Sequence, residues 1–487
     1  MIGRDGLARL APSAVPAALM FGVGLVGAGR PTLSWDEVTT ADIARRSVGE
    51  IWHLLGNVDA VFGPYYFFMH AWTRLVGTTE VDLRLPSIIA MAAAVGAAGE
   101  LGRRLFTPLV GLLAGLFLCL IPNSSRYAAE ARPYAFTCLL SVVAVLLLGT
   151  ALERGRTRTW IGYSAVVVLL GLSHLVALTT LAAHATMAAS YRGSRRAVVS
   201  WAIAVASAAA VLLPVAWLGT HQQDVQLAWV DPLTRGRLYR GPGDIVGSDI
   251  AAWLLIGLAV LARWRPAHRL IDLAVLALAP LAAVAVASIF LTPLWVARYL
   301  LVVLAPAAIL AAVAVVAADI PRWRTGVRAR AGPVLRVLGI LLLLAATAYP
   351  GHRTVRGTTA KNGPDYRGIA KVIDSHQRPG DGIVYEVRSR ALRAGMEYYL
   401  RQYPARPRDV LQRRPAAEAG QLRADEYPDA TAHVTGLDRV WLIVSDHRND
   451  PTTGQPALRA LLRAKYDRIG MWFLSRATVA LFRLRGG

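Results

Sequence analysis

Two adjacent carboxylates, Asp36 and Glu37, follow closely on the first long apolar segment of the chain, in the stretch Ser34-Trp35-Asp36-Glu37. An ionised pair at a membrane surface keeps its charge only beside water, a cation or a substrate, so its position needs a cause. Catalysis is one cause, with Asp36 as a general base for an attacking hydroxyl and Glu37 beside it. Helix capping is another, since Ser34 or Asp36 can open a helix from Val38 to Arg46 whose first turn favours acidic residues. The two readings are compatible, and the layout of the whole chain favours the first.

Complementary charges lie far along the sequence. The run Asn123 to Tyr134 holds Tyr127, Glu130 and Arg132 where one apolar segment ends and the next begins, and Pro133 breaks the helix there. Arg298-Tyr299 stands at a similar edge, after Thr292-Pro293-Leu294-Trp295. A guanidinium meets phosphate oxygens with paired N–H donors and stays charged at any relevant pH, which makes Arg132 and Arg298 a candidate anion site. The plainer account pairs Arg132 with Glu130 at the membrane boundary and leaves Arg298 reaching for the surface within an aromatic belt.

A helix from Tyr65 to Val76 carries Tyr65, Phe68, Trp72 and Leu75 on one face and Tyr66, His70 and Thr73 on the other, as a helix lying in the membrane interface does. Tyr66 and His70 are candidates for orienting a substrate, or simply the polar half of that helix. His174 and His184 lack spaced partners, and Cys119 and Cys138 fall in apolar segments. No metal site or disulfide framework is expected, although dependence on a divalent cation stays open.

These groups need elements to hold them, and composition says which. The chain of 487 residues is 55% hydrophobic and only 17% charged, which is too apolar for a soluble protein and fits an α-helical polytopic membrane protein. Its net charge of +22 does not imply nucleic acid, because basic residues collect in the cytoplasmic loops of membrane proteins. Arg4 and Arg9 precede the apolar run 11–29, which places the N-terminus inside and reads as an uncleaved anchor.

Further spans are expected at 85–101, 109–121, 134–152, 160–171, 174–190, 198–219, 246–262, 270–290, 298–317 and 334–348, giving about eleven in all. Every inner loop is then basic: Arg103-Arg104, Arg154 to Arg158, Arg192 to Arg196, Arg263 to Arg269, and Arg322 to Arg330. The loops 30–84, 123–133, 221–243 and 292–296 fall outside, at one depth, and that shared depth links Asp36 to Arg132 and Arg298.

Residues 1–349 thus form a transmembrane module with outer loop 30–84, and 350–487 a small extracytoplasmic α/β domain. In that domain a helix follows Asp365, and strands are expected at 383–385 and 440–444.

The order of these pieces resembles a known family. The acidic pair, then Asp59-Ala60-Val61-Phe62-Gly63-Pro64-Tyr65-Tyr66, Arg84-Leu85-Pro86-Ser87, Tyr127 to Tyr134 and Arg298-Tyr299 are similar to C-type (GT-C) glycosyltransferases of the protein O-mannosyltransferase and lipid A aminoarabinose transferase kind. The resemblance covers roughly the first three hundred residues and is nearest the actinobacterial mannosyltransferase branch. It implies a multi-pass plasma-membrane enzyme that moves a sugar, with mannose the first choice and arabinofuranose the alternative, from a polyprenyl-phosphate donor to a glycan, glycolipid or protein acceptor with inversion.

The resemblance also implies site roles. The base maps onto Asp36 with Glu37 beside it, and the acidic position of the second outer loop onto Glu130. Arg132, Arg298 and Tyr299 are left to hold the donor phosphate, with Tyr66, His70 and Tyr127 positioning substrate. One departure stands out: Phe62-Gly63-Pro64 occupies the place where relatives carry a His-Pro-Pro or Lys-Pro stretch. A transporter or flippase is the rival class. It predicts ionisable residues at the membrane midplane, whereas here the polar groups concentrate on one outer side.

Overall fold

Hydropathy dictates most of the architecture. A computed structural model describes residues 4–191, 194–317, 327–358, 360–361, 363–387 and 389–486. Among the described residues six helices are long and apolar enough to cross a membrane, or up to eight if each of two bent pairs is one span. The expected spans at 11–29, 160–171 and 174–190 fall on shorter helical segments, Leu10–Leu25, Thr157–Ser173 and Leu175–Ser190. Arg192 and residues 318–326, part of two expected basic inner loops, lie outside the described residues.

Two breaks depart from a simple series of rods. Helices Pro108–Leu120 and Pro122–Ala128 meet at 72°, because Pro122 has no N–H to continue the first helix but suits the first turn of the second. The expected span 246–262 is not uninterrupted, and the expected outer loop 221–243 is partly helical. Helix Arg235–Val246 meets Asp249–Val260 at 90°. Gly247 makes that corner with a left-handed φ of 86°, and a side chain there would press on Asn123. The Asn123 amide donates to the carbonyls of Asp244 and Ile245 at 2.7 and 2.9 Å, satisfying groups that the helix end leaves open.

The chain divides into two compact units. The first comprises Met1–Ala28 and Arg84–Arg356 and holds the apolar helices, whose core includes Phe117, Val142 and Ile309. The second comprises Gly29–Leu83 and Gly357–Gly487. The expected outer loop 30–84 therefore packs with the C-terminal residues rather than with the helices that flank it in sequence. The reason is a set of specific long-range bonds: the Leu33 N–H donates to Tyr399 Oη at 2.9 Å, and Glu80 receives Arg367 at 2.5 Å and Tyr399 Oη at 2.9 Å.

Within the second unit a five-stranded sheet runs, edge to edge, through Arg408–Asp409, Gly382–Tyr385, Arg439–Ser445, Ala477–Leu484 and Tyr466–Leu474. The first three strands are parallel and the last two join antiparallel. Gly382–Tyr385 and the centre of Arg439–Ser445 are buried continuously, as strands with both faces covered should be. Asp365 caps helix Tyr366–His376 through the Gly368 N–H at 2.9 Å. The loop residues contribute helices Trp35–Arg45, Val48–Asn57 and Gly63–Leu75.

Candidate active site

The acidic pair opens helix Trp35–Arg45, and its two members do different things. Ser34 is the cap: its Oγ accepts from the Glu37 N–H at 3.2 Å, while Glu37 Oε2 accepts from the Ser34 N–H at 2.9 Å. This reciprocal box satisfies two donors that a helix start leaves open. Glu37 is fully buried, and its other oxygen receives Lys361 Nζ at 2.9 Å. Lys361 is itself nearly inaccessible. Both Glu37 oxygens are thereby engaged with the protein. Asp36 is only part-buried and does not serve as the cap, so its carboxylate stands at the positive end of a helix whose first turn is already secured.

The neighbouring helix Gly63–Leu75 is inverted relative to a soluble one. Tyr66, Met69, His70 and Thr73 are buried, whereas Phe68 and Leu75 are exposed. Tyr66 Oη donates to Asp59 at 2.7 Å, and His70 Nδ1 lies 3.1 Å from the Ala44 carbonyl. These two residues, expected to position substrate, are bonded to the protein itself. Their polar groups fasten the helix to the unit; of the face expected to lie outward only Phe68 and Leu75 are exposed, because Tyr65 is buried and Trp72 donates to the Asp82 carbonyl at 2.8 Å.

The basic residues belong to the first unit. Arg132 and Glu130 are buried where short helix Pro122–Ala128 gives way to Tyr134–Arg154, and the Arg132 carbonyl accepts from Ser87 Oγ at 3.2 Å. Arg298 sits in the 3-10 turn Ala297–Val303 that leads into helix Leu304–Ala317. Its guanidinium lies over the rings of Trp229, Tyr134 and Tyr299 at 4.8, 5.7 and 5.9 Å. Tyr127 meets Tyr134 edge-on at 5.5 Å, and His174 packs 4.5 Å from the Tyr299 ring. Arg132 and Arg298, 166 positions apart in sequence, both lie near His174, and the recorded ring contacts belong to Arg298. A guanidinium held against ring faces is positioned through its planar surface, while its N–H donors lie in the plane of the group. Among the described residues no group of three His, Cys, Asp or Glu side chains stands close enough to hold a metal ion.

ArnT from Cupriavidus metallidurans bound to undecaprenyl phosphate superposes with a TM-score of 0.61 at 14% identity, over 96% of this chain and 97% of that one. The chain has the GT-C fold. The apo form of the same ArnT gives a TM-score of 0.61 at 15% identity, over 96% of this chain and 97% of that one. The Archaeoglobus fulgidus oligosaccharyltransferase in complex with zinc and sulfate gives 0.47 at 11% identity, over 94% of this chain and 71% of that one. The model of the dolichyl-phosphate-mannose-protein mannosyltransferase family matches residues 64–218, a segment that contains Arg132 but neither Asp36 nor Arg298. No curated protein matches the chain in sequence.

On this GT-C frame three residues outside the expected site set emerge. Lys361 reaches Glu37 across 324 positions. It is one of three lysines among 53 basic residues, a rarity that would have been the one signal to follow. Trp229 and His174 join the basic cluster, and neither has a motif around it.

Proposed function

We propose that the protein is a glycosyltransferase that moves a sugar from a polyprenyl-phosphate donor onto an acceptor hydroxyl with inversion, on the extracytoplasmic face of the plasma membrane. The observation that carries this reading is the end-to-end match to ArnT, a protein solved with undecaprenyl phosphate bound. Mannose is the sugar the family match favours.

The chemistry asks for few groups. A lipid phosphate is both the anchor of the donor and its leaving group, so the reaction needs a base for the attacking hydroxyl and fixed positive charge for the departing phosphate. A single displacement inverts the sugar carbon and passes through no covalent sugar intermediate. Asp36 is the base, with its carboxylate presented by a capped helix start. Arg132 and Arg298 hold the phosphate through in-plane N–H donors, with Tyr299 and Tyr127 walling the cluster. Glu37 and Lys361 are positioning residues: their buried ion pair fixes the turn from which Asp36 projects.

Purified protein in liposomes, given polyprenyl-phosphate mannose and an envelope-derived acceptor, should form a product of inverted anomeric configuration and release polyprenyl phosphate without any gradient. Asp36→Asn should lower this rate by roughly 10²–10⁴. Retained configuration, or wild-type turnover by Asp36→Asn, would refute the assignment.

A further inference from the structure

The second unit contains a cavity of about 460 Å³ that the transfer chemistry does not use. It opens beside the start of helix Arg390–Leu400, where Ser389 accepts from the Leu392 N–H, and is walled by residues 414–426. Its floor is Arg393, a nearly buried guanidinium held by Asp409 at 2.5 Å and by Glu426 at 2.7 Å. One wall pairs Arg414 with Asp425 at 2.7 Å. At the rim Arg423 is exposed and has no ion-pair partner among the described residues.

The lining chemistry selects a ligand class. Apart from Ala419 and Ala424 every lining side chain is polar, which gives a lipid tail or an apolar peptide nothing to bury against. Asp425 and Glu426 meet their arginines through one oxygen each, leaving the other to accept a ligand hydroxyl, while the arginines supply donors beside them. Fixed donors and acceptors side by side match the vicinal hydroxyls of a sugar. With Arg393 and Arg414 paired to carboxylates, Arg423 adds a site for one negative charge at the rim. The volume falls within the ~300–1,000 Å³ of small-molecule sites and suits a disaccharide.

The walls are also tied to the residues around Asp36. The Gly420 carbonyl accepts from Asn57 Nδ2 of helix Val48–Asn57 at 3.0 Å, and helix Arg390–Leu400 packs on helix Trp35–Arg45.

We infer that this cavity binds an acidic saccharide, the acceptor glycan or a segment of it, with hydroxyls on the Arg393 floor and a carboxylate or phosphate at Arg423. The inference rests on the glycosyltransferase reading for its biological meaning, and its test does not need turnover. The full chain in detergent is titrated with digalacturonate, mannose 6-phosphate, maltose, inorganic phosphate and hexaglutamate, followed by calorimetry and saturation-transfer NMR.

Binding of an acidic sugar ahead of maltose supports the site, and the order of digalacturonate and mannose phosphate tells carboxylate from phosphate. Arg423→Gln should weaken that binding about fivefold or more, and Gln421→Ala should weaken it less. Asp36→Asn should leave it unchanged. Absent saccharide binding, equal binding by Arg423→Gln, or tighter binding of inorganic phosphate or hexaglutamate would overturn it. Lost binding with intact transfer rejects this cavity alone, whereas unaffected transfer in Asp36→Asn rejects the enzymatic roles and leaves the cavity standing.

Discussion

The two charged centres of this protein bury ions by opposite means. In the second unit, Glu37 gives one oxygen to the Ser34 N–H and the other to Lys361, so its charge is paired and both oxygens are engaged. In the first unit, Arg298 is set among the faces of Trp229, Tyr134 and Tyr299. A carboxylate so paired is fixed and chemically quiet, whereas a guanidinium so stacked is fixed through its planar face. The contrast gives the proposed division of roles in the acidic pair its reason: Glu37 is committed to the protein, and Asp36 is the proposed base. It also shows how Arg298, at the edge of an apolar helix, is accommodated: the faces of three rings surround its guanidinium.

The contrast breaks first at Lys361. Lys361→Met leaves Glu37 buried without its cation, at a cost of about 3–5 kcal/mol, read as a large fall in the apparent Tm of purified protein. The double variant Lys361→Met with Glu37→Gln should recover part of that loss, and no recovery would mean that the pair is not the unit disrupted.

Arg298→Ala should weaken donor-lipid binding by about 1.5–3 kcal/mol, tenfold to hundredfold, with little change in Tm. Arg298→Lys should restore only part, since an ammonium keeps the charge but not the stacked fork. Unchanged affinity in both would remove the anion role.

Gly247→Ala sharpens the comparison from the other side. It forces a side chain onto a left-handed corner and against Asn123, costing roughly 1–2 kcal/mol. The loop that leads to Arg132 should loosen, reducing donor affinity, while the capping box in the second unit is untouched.

The smallest effect is expected at Glu397, whose carboxyl is pushed up by burial and then by the nearby Asp42 and Asp409. An acid raised in the folded state loses stability as pH climbs from its unfolded value of 4.5 through the higher folded value. Glu397→Gln should therefore raise the apparent Tm at pH 7 and give no gain at pH 4. A gain of equal size at both would contradict the linkage.

Much of this was legible because it is local. Apolar runs name the long helices, and the spacing Ser34-x-x-Glu37 is a capping box written in four letters. Asp365, the strand around Val384 and the strand Val440 to Val444 could be placed for the same reason. What hid was tertiary. Nothing near Lys361 points to Glu37, and a single lysine among many arginines carries no local signal of its partner. Val246 to Ala262 reads as one apolar stretch, and hydropathy does not register that Gly247 turns the chain through a right angle. Loop 30–84 looks like an appendage of its flanking helices because sequence adjacency conceals the bonds from Leu33 and Glu80 to Tyr399. Tyr66 and His70 were polar on a helical wheel, and that pattern does not distinguish a face turned to substrate from one turned to protein.

The most direct test separates grip from chemistry. Donor-lipid affinity and single-turnover transfer should be measured side by side in Asp36→Asn and in Arg132→Ala with Arg298→Ala. Asp36→Asn should bind polyprenyl-phosphate mannose as the wild type does and transfer it roughly 10²–10⁴ more slowly, while the double arginine variant should lose binding by about a hundredfold or more. Transfer by Asp36→Asn at the wild-type rate, or undiminished donor binding without both arginines, would contradict these roles.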